Sequence, residues 1–199
     1  NGTDGTTAYH TFAFQQFQAD PSRFALQIDK NHFDGSRLLL DIERPEGQIQ
    51  GEIQLGPLNP WPVTLVSPGI MGWYAWVPRM ECYHGVLSFD HSLQGTLTLN
   101  GKMMNFDGGR GYIEKDWGQA FPSAWVWFQS NHFGGTPACI TASVAIIPWM
   151  GAHFGVSSSA SGLTANFTGL RRTAGPGSDL CKSSIPMWIG CCKATATGY

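Results

Sequence analysis

Ionisable groups and large aromatics alternate in two stretches of this chain. The segment 109–133 carries Glu114, Lys115, Asp116 and His132 among Tyr112, Trp117, Trp125 and Trp127. The segment 60–85 carries Glu81 and His84 among Trp61, Trp73, Tyr74, Trp76 and Tyr83. Together they hold six of the eight tryptophans. A charge among aromatics is costly unless it is paired or used. In an extended segment Tyr112, Glu114 and Asp116 share one face, while Ile113, Lys115 and Trp117 share the other. Two carboxylates at i and i+2 stand about 7 Å apart, so where both are desolvated one should hold its proton to higher pH. That is material for proton transfer in an apolar setting. The plainer reading is that Lys115 pairs with a neighbouring acid and Trp117 fills a core.

Strands must position these groups. Ser36–Glu43 sets Leu38, Leu40 and Ile42 against Arg37, Asp41 and Glu43. In Gln48–Leu55, Ile49, Ile53 and Leu55 alternate with glutamines and Glu52; in Ser92–Leu99, Leu93, Leu97 and Leu99 alternate with Gln94, Thr96 and Thr98. Period-2 patterns of this kind predict strands with one buried face. Asn100-Gly101 accepts positive φ at both corners of a type I′ hairpin. Further breaks fall at Asp34-Gly35, Pro45-Glu46-Gly47, Asn59-Pro60 and Pro68-Gly69. No ten-residue window makes a convincing amphipathic helix, a short turn near Pro78–Cys82 excepted. The expected class is therefore all-β and antiparallel, a sandwich or a barrel.

Composition agrees. The 199 residues leave room for one domain, or one and part of a second. Charged residues make up 13%, against roughly 25% in an ordinary domain, while 25 glycines, 12 prolines and 13% aromatics favour a turn-rich β protein. A net charge of −2 gives no footprint for a nucleic-acid binder. No stretch approaches about 18 consecutive apolar residues, so no transmembrane helix is expected. Asn1-Gly-Thr3 opens the chain without a signal peptide or a methionine. Up to Gly155 there are 13 acids and 8 bases; from Val156 there is one acid, Asp179, against Arg171, Arg172, Lys182 and Lys193. This second part shows no apolar period and is expected to pack poorly, as a linker, a basic arm or out-of-frame sequence.

Cys82 and Cys139 lie in strand-like segments and read as free buried thiols. Cys181, Cys191 and Cys192 have no zinc-ligand spacing, so no metal site and a reducing, intracellular compartment are expected. Gly108-Gly-Arg-Gly111 lacks the Gly-Lys-Ser/Thr of a phosphate loop. No Gly-x-Ser-x-Gly elbow is present. The sequons at Asn1 and Asn166 are too common a tripeptide to weigh.

Several separate motifs occur in one order. Gly111-Tyr-Ile-Glu-Lys-Asp-Trp-Gly118, then Phe121-Pro122 and Trp125-Val-Trp127, resembles the signature of the tocopherol cyclase family. Ser67-Pro-Gly-Ile-Met-Gly-Trp-Tyr74, Met80-Glu-Cys-Tyr-His-Gly85, Asn131-His-Phe133 and Thr141-Ala-Ser-Val-Ala-Ile-Ile-Pro-Trp149 resemble bacterial members. The resemblance covers roughly His10 to Gly155. It implies a lipocalin-like β-barrel, incomplete at both ends in this chain, with residues 1–101 in a first β domain. Residues 102–155 would start a second domain or continue the barrel, and 156–199 would be the loose tail.

The implied reaction closes a prenylated hydroquinone to a chromanol, an isomerisation that needs no cofactor. It requires a proton delivered to an alkene carbon, a phenol proton removed, and π faces beside the tertiary cation. On this reading Glu114 or Asp116 donates the proton, with Glu81 next in line. His84 or His132 accepts the phenol proton, and Tyr112 positions the ring hydroxyl. Trp125, Trp127, Gln129 and Asn131 wall the pocket, with Trp117, Trp73 and Tyr74 as further substrate contacts. The partner is a hydrophobic small molecule, gathered through a peripheral membrane contact; no nucleic acid is implied, and no oligomeric state. Two rivals share the architecture. One is a binding protein for an isoprenoid or other hydrophobic ligand. The other hydrates a carotenoid-type alkene, for which water must reach the cation. Carboxylates turned into an apolar cavity favour chemistry over simple binding.

Overall fold

The computed structural model describes residues 9–44, 47–134, 138–149, 152–163 and 166–174. Within these, a meander of five strands opens the chain: β1 (Phe17–Ala19), β2 (Ala25–Ile28), β3 (Asn31–Asp34), β4 (Arg37–Arg44) and β5 (Gly47–Leu55). A long loop with one 3₁₀ turn at Gly72–Trp76 leads to β6 (Cys82–Leu99), followed by β7 (Lys102–Asn105) and β8 (Gly109–Gly118). These eight strands form one antiparallel sheet, in which β8 pairs with β6. A second sheet holds β9 (Ala124–Ser130), β10 (Ala138–Trp149), β11 (Ala152–Leu163) and β12 (Asn166–Ala174) in the order β12-β11-β10-β9. The protein is all-β and antiparallel. Among the described residues no pairing closes the first sheet on itself, which fits an incomplete barrel. No helix among the described residues is long and apolar enough to cross a membrane.

The period-2 segments set the register. Leu38 faces Ile53, Ile42 faces Ile49, and Ile49 in turn faces Leu99, so the apolar positions form continuous cross-strand rows. Ile53 is buried while Gln50 and Gln54 are exposed. Gly51 and Gly95 have φ of 138° and 120°, and a Cβ on either would land on a carbonyl of the neighbouring strand. Close backbone approach there excludes a side chain. The Asn100-Gly101 turn has φ of 50° and 79°, as a type I′ corner requires.

The core lies elsewhere, where the β5–β6 loop packs on the first half of β6 and on β10. Trp61, Ile70, Met71 and Met80 come from the loop, Val86 and Phe89 from β6, Cys139 and Ala145 from β10. Phe89 and Ile70 are 1% and 2% exposed, and burying each contributes about 1.5–3 kcal/mol. The Trp61 and Phe89 rings tilt together at 5.9 Å. Cys82 and Cys139 are buried, and neither is in a disulfide.

Residues 101 and 102 lie in the β6–β7 hairpin, and the change of sheet comes between Gly118 and Ala124. The helical turn sits at Gly72–Trp76, just before Pro78–Cys82. The segment after Gly155 is strand through 163 and again over 166–174, paired in register with β10 and within itself. A hairpin ladder is held by backbone hydrogen bonds and needs no apolar period. The rest of the expected tail, 175–199, with Cys181, Cys191 and Cys192, lies outside the described residues.

Candidate functional site

β8 runs antiparallel to the first half of β6, which places Asp116 opposite His84 and Glu114 opposite Val86. His84 Nδ1 stands 2.6 Å from Asp116 Oδ1. On the same face, Tyr112 donates its hydroxyl to Glu114 Oε2 at 2.6 Å, and Trp127 Nε1–H donates to the same oxygen at 3.1 Å. His84 Nε2 lies 3.9 Å from that oxygen. It is buried and, among the described residues, has no hydrogen-bond partner. Met71 Sδ accepts the His84 backbone N–H at 3.0 Å and holds the start of β6.

The second sheet supplies the facing wall. Trp125 and Trp127 of β9 oppose Ala145 and Ser143 of β10. These small residues leave a cavity of about 230 Å³, with Met71, Cys82 and His84 on one side and Phe121 and Pro122 at its edge. Glu114 and Asp116 both line it. Burial, then the hydrogen bond to Glu114, pushes the Tyr112 phenol far above its ordinary value, so Tyr112 stays a donor. Burial, with the Asp116 charge second, also raises the Cys82 thiol, which therefore stays protonated and unreactive. Among the described residues no three His, Cys, Asp or Glu side chains are grouped to hold a metal ion.

The cavity thus gathers Glu114, Asp116, His84, Trp125 and Trp127, with Tyr112 hydrogen-bonded behind Glu114. Other expected site residues are elsewhere. Glu81 does not line the cavity; its backbone carbonyl accepts N–H groups of Gln119 and Ala120. His132 is exposed beyond the end of β9. Asn131 is buried but points at the Gly111 carbonyl and Asp90, at 3.1 and 3.4 Å, because β9 has already ended at Ser130. Gln129 pairs opposite Thr141, away from the cavity. Trp73 is 58% exposed and stacks on Tyr74, which packs against the core. Trp117 is 46% exposed, stacked on Tyr83 at 5.4 Å on the far face of β8. It fills no core, and among the described residues Lys115 pairs with no acid but stands over the Trp117 ring at 4.4 Å.

Sequence reasoning missed the polar network that braces the site. β6 carries two bulges, between Val86 and Ser88 and between Ser88 and His91. They turn Ser88, Asp90 and His91 inward together. Arg110 grips Asp90 through both Nε, at 2.7 Å, and Nη2. His91 Nδ1 meets Ser88 Oγ at 2.9 Å. Gly111 faces the His91 ring so closely that a Cβ would collide with it, which explains the glycine that follows Arg110. The failure of period 2 at Ser88-Phe-Asp-His91 was the available signal.

With that geometry in place, comparison with known proteins is informative. Residues 5–153 match the family model described as tocopherol cyclase-like. The chain belongs to this family. It is 28% identical over 95 residues to a probable chloroplastic tocopherol cyclase of Oryza sativa subsp. japonica, covering 47% of this chain and 20% of that protein. It is 30% identical over 74 residues to the chloroplastic tocopherol cyclase of Zea mays, covering 37% of this chain and 16% of that protein. The chain thus aligns with a fifth or less of each relative's length. No solved structure gives a significant match. The family match ends close to the change in charge balance after Gly155.

Proposed function

We propose that the cavity between β8 and β9 closes a prenylated hydroquinone to a chromanol. The observation that carries this reading is the convergence of Glu114, His84 and Asp116 in one aromatic-walled cavity. Both donors to Glu114 close on Oε2, which leaves Oε1 to carry a proton. That proton passes to the hydrogen-bearing alkene carbon, forming a C–H bond and leaving positive charge on the tertiary carbon. The phenol oxygen bonds to that carbon, and its proton moves to His84 Nε2. Asp116 takes the Nδ1–H, so the Nε2 lone pair is free to act as the base. The imidazolium then returns a proton to Glu114, 3.9 Å away. Atoms and electrons balance without an external reactant. Trp125 and Trp127 offer π faces to the cationic carbon.

A cavity of about 230 Å³ suits a ring head rather than a whole lipid, since pockets for drug-sized ligands run to about 300–1,000 Å³. The isoprenoid tail would leave past Phe121 and Trp125, whose rings stack at 6.1 Å. Exposed Trp125, Val126 and Phe128 suit contact with the membrane that supplies such a substrate. The test follows chromanol formation from a prenylated hydroquinone by the chain and its Glu114→Gln variant. Turnover by the parent alone, with equal binding by both, supports the reaction. Binding by both with turnover by neither replaces it with the ligand-carrier reading, and equal turnover places the donor outside Glu114.

A further inference from the structure

Side chains alternate across β8, so the face opposite the candidate site carries Ile113 and Lys115. There a second cavity, of about 490 Å³, is walled by Phe24, Leu26, Phe33, Leu87 and Ile113. Phe24 and Phe33 meet edge to face at 4.8 Å. Leu87 reaches this face by ordinary alternation, since it follows Val86, which pairs with Glu114 on the other face. The apolar walls are half-buried, and the volume lies within the range of small-molecule pockets, about 300–1,000 Å³.

Two acids, Asp20 and Glu114, and two bases, Arg23 and Lys115, line this cavity. Arg23 is paired with Asp20 at 2.8 Å. Glu114 also lines this cavity, but its carboxylate is engaged by Tyr112 and Trp127. Lys115 has the Trp117 ring beneath it and, among the described residues, no carboxylate partner. A purely apolar occupant would leave that ammonium unmatched. A single anionic head with an alkyl chain satisfies both the cation and the walls. We propose that this cavity binds a long-chain carboxylic acid, with its carboxylate on Lys115 and its chain among Phe24, Phe33 and Leu87. The site lies across β8 from the proposed chemistry and borders it at Glu114, which lines both cavities.

The test titrates the full chain with oleate and with oleyl alcohol, followed by calorimetry. Oleate should bind saturably, one per chain, and Lys115→Met should weaken it about tenfold or more while leaving oleyl alcohol unchanged. Lys115→Arg should keep most of the oleate affinity. Ile113→Trp, which fills the cavity, should weaken both ligands, and an unchanged circular dichroism spectrum confirms that each variant is folded. The proposal is overturned if oleate fails to bind or if folded Lys115→Met binds it as tightly as the parent. It is overturned too if Glu114→Gln, rather than Lys115→Met, removes oleate binding, since the acid would then occupy the other face.

Discussion

The two halves of β6 obey different rules. From Leu93 to Leu99 the strand pairs with β5 residue for residue, and half-buried Leu93 and Leu97 alternate with exposed Gln94 and Thr96. From Cys82 to His91 it pairs only with β8, across two bulges, and buries Ser88, Asp90 and His91 beside Phe89. The regular half lowers its free energy by alternation alone. The irregular half sets Ser88, Asp90 and His91 against specific partners, while His84, ahead of both bulges, faces the cavity from the regular pairing with Asp116. Alternation positions His84 and Glu114; the bulges place the buried network beside them.

Substitutions should divide the halves sharply. Glu114→Gln is expected to lower turnover of a prenylated hydroquinone toward the upper end of about 10²–10⁴-fold. The amide is nearly isosteric but delivers no proton to carbon. Gln94→Ala, on the exposed face of the regular half, should leave the rate unchanged. A rate loss for Gln94→Ala that matched Glu114→Gln would erase the distinction. Stability should divide in the same way. Arg110→Met strands the Asp90 carboxylate, whose side chain is 4% exposed, with Asn131 as its remaining side-chain partner. Loss of one member of a buried pair costs about 3–5 kcal/mol, and the lower figure suits Arg110, which is a third exposed. Exposed Arg37→Met should stay within about 0.5 kcal/mol. Urea unfolding midpoints compare the two directly.

The same divide decided what was legible in the sequence. Arg37–Arg44, Gly47–Leu55 and the Asn100-Gly101 hairpin were readable because alternation and turn chemistry are local. The shared face of Tyr112, Glu114 and Asp116 was readable for the same reason. Ser143 and Ala145 were not, because only the β9–β10 register puts small residues opposite Trp127 and Trp125. Asn131 was misplaced by extending the alternation of β9 one residue past its end. Asp90, His91 and Arg110 were invisible because bulges cancel the period that sequence reading relies on.

Acidification should weaken the irregular half first. Burial lowers the His91 pKa, with the Asp90 charge opposing. The unfolded chain therefore takes up a proton below about pH 6.5 that the folded chain refuses. The contribution is present above that pH and is lost as pH falls toward the depressed folded value. The slope from one such group is at most about 1.4 kcal/mol per pH unit. Urea midpoints between pH 7.5 and 5 should show the decline, and His91→Gln should flatten it. An equal decline in His91→Gln would move the linkage to another group.

A modest effect belongs to the hairpin of the regular half. Gly101 has a φ of 79°, and a Cβ there would meet nothing within 4 Å. Gly101→Ala therefore adds only the backbone cost of an L-residue in the left-handed region, about 1–2 kcal/mol. Nothing clashes, and β7 has only four residues, all exposed, so the disturbance has little packing to spread through. β8 pairs with residues 82–93 of β6, upstream of the turn, so turnover should be unchanged. Gly111→Ala makes the contrast, since its methyl would enter the His91 ring inside a network that cannot shift without unpairing Ser88. It should unfold at lower urea than Gly101→Ala and lose activity as well. Equal midpoints for the two alanine variants would mean that the bulged half of β6 yields as easily as an open turn, and that its irregularity is tolerated slack rather than a device for holding Ser88, Asp90 and His91 inward.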